Sequence, residues 1–93
     1  LADCNKVLEL RPKDSHAHSE RGFVNIMLKD YKAALTDFGK AIKLDSNNAQ
    51  AYLGRGVAKV EGRRGKHSGC LDMKKAGEMG ELQATMAILT YCR

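Results

Sequence analysis

Tryptophan is absent, phenylalanine occurs twice and proline once, at Pro12. A chain so poor in large rings cannot build its interior around aromatic side chains, and its apolar content falls to Ala, Leu, Ile, Val and Met, the residues of helix interfaces. No apolar run approaches the ~20 residues that span a bilayer, and the amino-terminal residues show no charged-then-apolar signal pattern. Membrane insertion is therefore not expected. The cysteines, Cys4, Cys70 and Cys92, are odd in number and far apart, which argues against a disulfide framework. They read as free thiols packed as small apolar residues inside helices. Charge is not extreme: a formal net +5 permits an anionic partner without requiring one.

With 43% hydrophobic and 29% charged residues, the 93 residues suit one all-α domain. Compared with itself at an offset of ~34 residues, the chain repeats. Leu1, Asp3, Lys6, Leu10, Ala17, Arg21 and Gly22 return as Leu35, Asp37, Lys40, Leu44, Ala51, Arg55 and Gly56. Allowing one inserted residue near 62–65, Asp37, Phe38, Lys40, Ala41 and Leu44 return once more as Asp72, Met73, Lys75, Ala76 and Met79.

Each unit divides into two helices by its punctuation. A first helix over 15–28, capped by Asp14 or Ser15, presents Ala17, Gly22, Phe23, Ile26 and Met27. After a turn at Lys29 and Asp30, a second helix over 31–44 buries Tyr31, Ala34, Leu35, Phe38, Ala41, Ile42 and Leu44, and the polar run 45–48 ends it. The next pair is expected over 49–61 and 66–79, with 1–10 as the second helix of an earlier pair, stopped at Pro12. Gly22 with Ala34, and Gly56 with Gly69, are placed where the two helices of a pair cross, since small residues let backbones approach. Residues 81–93 carry Leu82, Met86, Leu89 and Cys92 at helical spacing and are expected to cover the last interface, as repeat stacks require. The organisation is thus one domain over 1–93: a half repeat 1–14, repeats 15–48 and 49–80, and a capping helix 81–93.

Arg21-Gly22, Arg55-Gly56 and the spacing Ala34, Phe38, Ala41 resemble the tetratricopeptide-repeat (TPR) family, over about residues 1–80. The resemblance implies a right-handed α-solenoid of antiparallel helix pairs, with first helices lining a groove that holds a peptide or partner protein. Against the family pattern, the early aromatic is His18 or Tyr52, the following Leu is Arg21 or Arg55, and Ser46 stands for Pro. Such an Arg can lay its stem on the interface and keep its head in water. Residues 69–81 look like the closing repeat of bacterial members, and the start at Leu1 suggests a piece of a longer protein. An exposed face at Leu1, Cys4, Val7 and Leu8 would then favour self-association. Localisation stays open between cytoplasm and periplasm.

By position, the resemblance places the groove at His16, Ser19, Phe23, Ile26 and Met27, then Gln50, Leu53, Val57, Val60 and Glu61. The family's chaperone-tail binders set Lys and Asn here, whereas this chain has Ser19, Phe23 and Gly54, which disfavours that role. Arg63, Arg64 and Lys66, with His67, form a basic turn that reads as a solvated loop tip or an anion contact; without nearby aromatics a nucleic-acid partner is disfavoured. His16 and His18 lie two apart on a helix and point away from each other, and His67 with Cys70 is too few ligands for zinc. No cofactor and no catalytic constellation is expected. The expected function is a protein-binding scaffold; the alternatives are a polyanion-binding segment or a regulatory repeat of a larger enzyme.

Overall fold

The computed structural model describes residues 2–92, with side chains from residue 5 onward. Six helices follow one another: α1 (Ala2–Leu10), α2 (Ser15–Met27), α3 (Tyr31–Leu44), α4 (Ala49–Glu61), α5 (Lys66–Glu78) and α6 (Gln83–Tyr91). Among the described residues there is no strand, and no helix is long and apolar enough to cross a membrane.

The boundaries follow from local chemistry. The side chains of Asp14, Asp30 and Asn48 accept from the backbone N–H three residues on, at 3.1, 3.2 and 3.1 Å, and so satisfy amides that the first turn leaves without partners. At the other end of α2 and of α4 the chain reverses through Lys29 and Arg63, whose φ values are +61° and +56°. These left-handed positions let the amides of Asp30 and Arg64 reach back to Asn25 O and Lys59 O at 2.8 and 2.7 Å.

So short a link makes α2 and α3 antiparallel, and likewise α4 and α5. Successive pairs then stack: α2 touches α4 and α4 touches α6, whereas α1, α3 and α5 do not touch one another. The first helices form an inner row and the second helices an outer row. Two cores fill the stack. Ala34, Phe38, Ala41, Ala51 and Ala58 make one, with Phe23 and Ile26 against it; Leu53, Met73, Ala76 and Ala84 make the other.

Phe38 explains the spacing of the first core. Its ring is fully buried, receives the edge of Phe23 at 4.9 Å and 75°, and lies against both Gly22 of its own pair and Gly54 of the next. A Cβ on Gly22 would come 2.7 Å from the ring, and one on Gly54 would overlap it. Gly22 therefore makes room for Phe38, a different partner from the Ala34 expected at the crossing. The other expected crossing is present: a Cβ on Gly56 would sit 2.5 Å from Gly69 O, and one on Gly69 2.7 Å from Gly56 O.

Three further expectations need correction. Cys70 and Cys92 are joined in a disulfide, not free. A separation of 22 residues closes because α6 folds back along α5, bringing the two Cα atoms to 5.9 Å, within the range a disulfide bridges. The apolar stripe of α6 is also turned round. Leu82, Met86 and Leu89 face outward, 87%, 67% and 58% exposed, while Ala84, Ala87, Ile88 and Tyr91 face the core and, of the expected stripe, Cys92 packs there with them. Ala84 is fully buried against α5, where a Cβ on Gly77 would make ordinary contact with it at 3.5 Å. Of the exposed face expected at the amino-terminal end, Val7 is exposed and Leu8 is buried; Leu1 and the side chain of Cys4 lie outside the described residues.

Candidate protein-binding surface

The two rows of helices are tied by buried charge. Arg21 on α2 donates from Nη2 to Asp37 Oδ1 at 2.8 Å and from Nε to both carboxylate oxygens, and Asn25 Nδ2 adds a bond to Oδ2 at 2.8 Å. One period on, Arg55 donates to Asp72 from Nε and Nη2 at 2.9 Å each, and Lys59 Nζ lies 3.0 Å from Oδ2. The bidentate bond to Asp72 raises the Arg55 pKa further above its ordinary value, against burial, which lowers it. Both carboxylates are buried, so the arginine heads are held by acid where solvent was expected. The recurrence of Arg21 and Asp37 as Arg55 and Asp72 was visible in the sequence. Their pairing was not, because a repeat shows which positions match, and not which positions touch.

The consequence for the inner surface is chemical. Arg21, Arg55 and Lys59 are the lysine and arginine residues of α2, α4 and α6, and each turns its charge onto an acid of the outer row. Apart from these cations the charged side chains of α2, α4 and α6 are the acids Glu20 and Glu61, among apolar side chains and neutral polar ones such as Gln50, Gln83 and Thr85. His16 Nε2 lies 2.7 Å from Glu20 Oε1, and both are exposed.

The positions expected in the groove divide by burial. His16, Met27 and Gln50 are exposed; Phe23, Ile26, Val57, Val60 and Glu61 are half-buried; Ser19 and Leu53 are buried. Ser19 is committed elsewhere: its Oγ accepts from Asn48 Nδ2 at 2.9 Å, the amide that also donates to Ser15 Oγ, while Ser15 donates to Ala41 O at 2.7 Å. Leu53 belongs to the second core. Glu61 is a bridge, accepting from Tyr31 on one oxygen at 3.2 Å and from Tyr91 on the other. Its hydrogen bond is the main cause that pushes the Tyr91 pKa up to about 12, whereas Tyr31 is raised chiefly by burial and then by Glu61.

His18 stands apart. It is buried at a position where the resemblance implies an aromatic, Nε2 donates to Pro12 O at 2.9 Å, and Nδ1 has no partner. The ring fixes the turn between α1 and α2. On the outer side an open cleft of about 590 Å³ lies between α1 and α3, lined by Asn5, Arg21, Asn25, Lys32, Thr36 and Asp37 among others. Arg21 Nη1 donates to Asn5 Oδ1 across it at 3.1 Å. No group of three or more His, Cys, Asp or Glu that could hold a metal ion occurs among the described residues.

Residues 26–61, from the end of α2 through α3 and α4, match the family model of the TPR repeat. The fold is that of TPR repeats. The match begins in one helix pair and ends in the next, so it spans the joint between them. The chain is 33% identical over 57 residues to the Protein SGT1 homolog of Homo sapiens, covering 61% of this chain and 16% of that protein. The Bos taurus homolog is 32% identical over 57 residues, 17% of its length. RNA polymerase II-associated protein 3 of Xenopus tropicalis is 36% identical over 50 residues, 54% of this chain and 8% of that protein. The chain thus spans under one fifth of these relatives, all from animals; none supports the bacterial source suggested by residues 69–81. TPR repeats generally mediate protein–protein interaction.

Proposed function

We propose that this chain is a non-enzymatic TPR scaffold module whose inner row, α2, α4 and α6, holds an apolar segment of a partner protein. One observation carries the reading: Arg21, Arg55 and Lys59, the cations of the inner helices, are paired with Asp37 and Asp72, which leaves the half-buried apolar side chains to meet a partner. A peptide recognised through its carboxylate end would leave that charge unmatched, whereas an apolar segment would bury its side chains against Phe23, Ile26, Met27, Val57 and Val60.

Selection from a display library of random peptides tests this. Apolar peptides should be recovered whose binding survives amidation of the carboxyl terminus and falls with Met27→Glu or Gln50→Glu, two exposed positions. Recovery of peptides that need a free carboxylate, or that ignore both substitutions, would overturn the reading.

A further inference from the structure

Two turns of the same kind, α2 to α3 and α4 to α5, come out at one end of the stack. They are neighbours: Gly62, where α4 ends, packs so closely on Tyr31 at the start of α3 that a Cβ there would meet Tyr31 Cβ at 2.8 Å. Tyr31 also reaches Glu61. Lys29 and Arg63 occupy matching left-handed positions in the two turns, flanked by Lys32 and Arg64, and all four are exposed. The acids at this end do not answer them. Asp30 is taken up by the amide of Ala33 at 3.2 Å, and Glu61 by the two tyrosines. Immediately before Lys29, Leu28 is 60% exposed.

We propose that this edge is a second docking surface, separate from the inner groove, for an acidic protein segment that carries apolar side chains among its carboxylates. Arg63, Arg64 and Lys29 take the carboxylates, and Leu28 takes the apolar side chains. The mixture distinguishes the partner from nucleic acid. A single strand needs aromatic faces for its bases, and the ring at this edge, Tyr31, is half-buried with its hydroxyl on Glu61. The surface does not depend on the groove being occupied.

The probe is a fluorescein-labelled peptide alternating two glutamates with one leucine, its fluorescence anisotropy titrated with the chain at about 50 mM and about 300 mM salt. Saturable binding is expected that weakens at the higher salt. Arg63→Asn with Arg64→Ser, and separately Lys29→Asn, should each weaken it by roughly tenfold. Asn is chosen because it tolerates the left-handed backbone. Lys40→Ser with Lys43→Ser removes two exposed charges from the far part of α3 and should leave affinity within about twofold. Arg64→Ser alone, where the backbone is ordinary, keeps the test valid if a turn variant loses its helical circular dichroism. The proposal fails if Lys40→Ser with Lys43→Ser weakens binding as much as the turn variants. It fails equally if an oligothymidylate of the same charge binds as tightly as the peptide, if a glutamine version of the peptide binds as tightly, or if no saturable binding is seen.

Discussion

Gly56 and Gly69 meet backbone to backbone where α4 crosses α5, each close enough that a single methyl group on one would press into the carbonyl oxygen of the other. The opposing atoms are main-chain and cannot swing aside. Gly56→Ala should therefore lower stability by about 1–3 kcal/mol in a denaturant titration, even though alanine is the better helix former. An unchanged or raised midpoint would mean that the helices are further apart than described.

The two arginine ties should differ. Removing Arg21 leaves buried Asp37 with one neutral donor, Asn25, whereas removing Arg55 leaves Asp72 with the ammonium group of Lys59. Arg21→Met is expected to cost about 2 kcal/mol and Arg55→Met about half that, discounted because both arginine heads retain some contact with water. Thermal unfolding of the two variants side by side gives the comparison, and the reverse order would count against it.

Reduction of the Cys70–Cys92 disulfide should lower stability by about 3 kcal/mol, the unfolded-chain entropy released by opening a loop of this length. Cys92→Ser should show the same loss, and reductant added to that variant should lower its stability no further.

On α6, Met86→Lys should leave the melting temperature almost unchanged and Ile88→Lys should unfold the helix from its seat, since Met86 faces out and Ile88 faces the core. The opposite result would restore the stripe of Leu82, Met86 and Leu89 to the interior.

Tyr91 sets an alkaline limit. Its phenol is held protonated in the folded chain to about 12, above the ordinary 10, so between those values the unfolded chain loses its proton first and folding weakens as pH rises. The stabilisation is fully present below pH 10 and is lost by about pH 12. Tyr91→Phe should flatten that part of the stability profile, measured by denaturant unfolding.

Most of the fold was legible because its signals are local. Helices expected over 31–44 and 49–61 are observed at those bounds, since caps at Asp30 and Asn48 and the polar run between them mark the ends in the chain itself. What depends on contact across the stack was harder to see. Ser19 reads as a surface residue until Asn48, 29 positions away, is found donating to it. Residues 82–92 contain two interleaved apolar stripes, and spacing alone does not say which one meets α4 and α5; Ala84, Ala87, Ile88 and Tyr91 do, with Cys92 alone of the expected stripe. The basic turn at Arg63 and Arg64 was evident, but its union with Lys29 needed the contact between Gly62 and Tyr31.

The placement of Phe38 bears on how this stack comes apart. Its ring is lodged in a notch of its own pair, at Gly22, and in a notch of the next, at Gly54. Peeling α4 and α5 away would strip one wall from that ring and leave the first pair with an open cavity, while loosening α2 would do the same to the second. The joint between the pairs is therefore held by the same ring that fills the first pair. Two pairs that share this ring are expected to open together, with fraying confined to the ends of the stack.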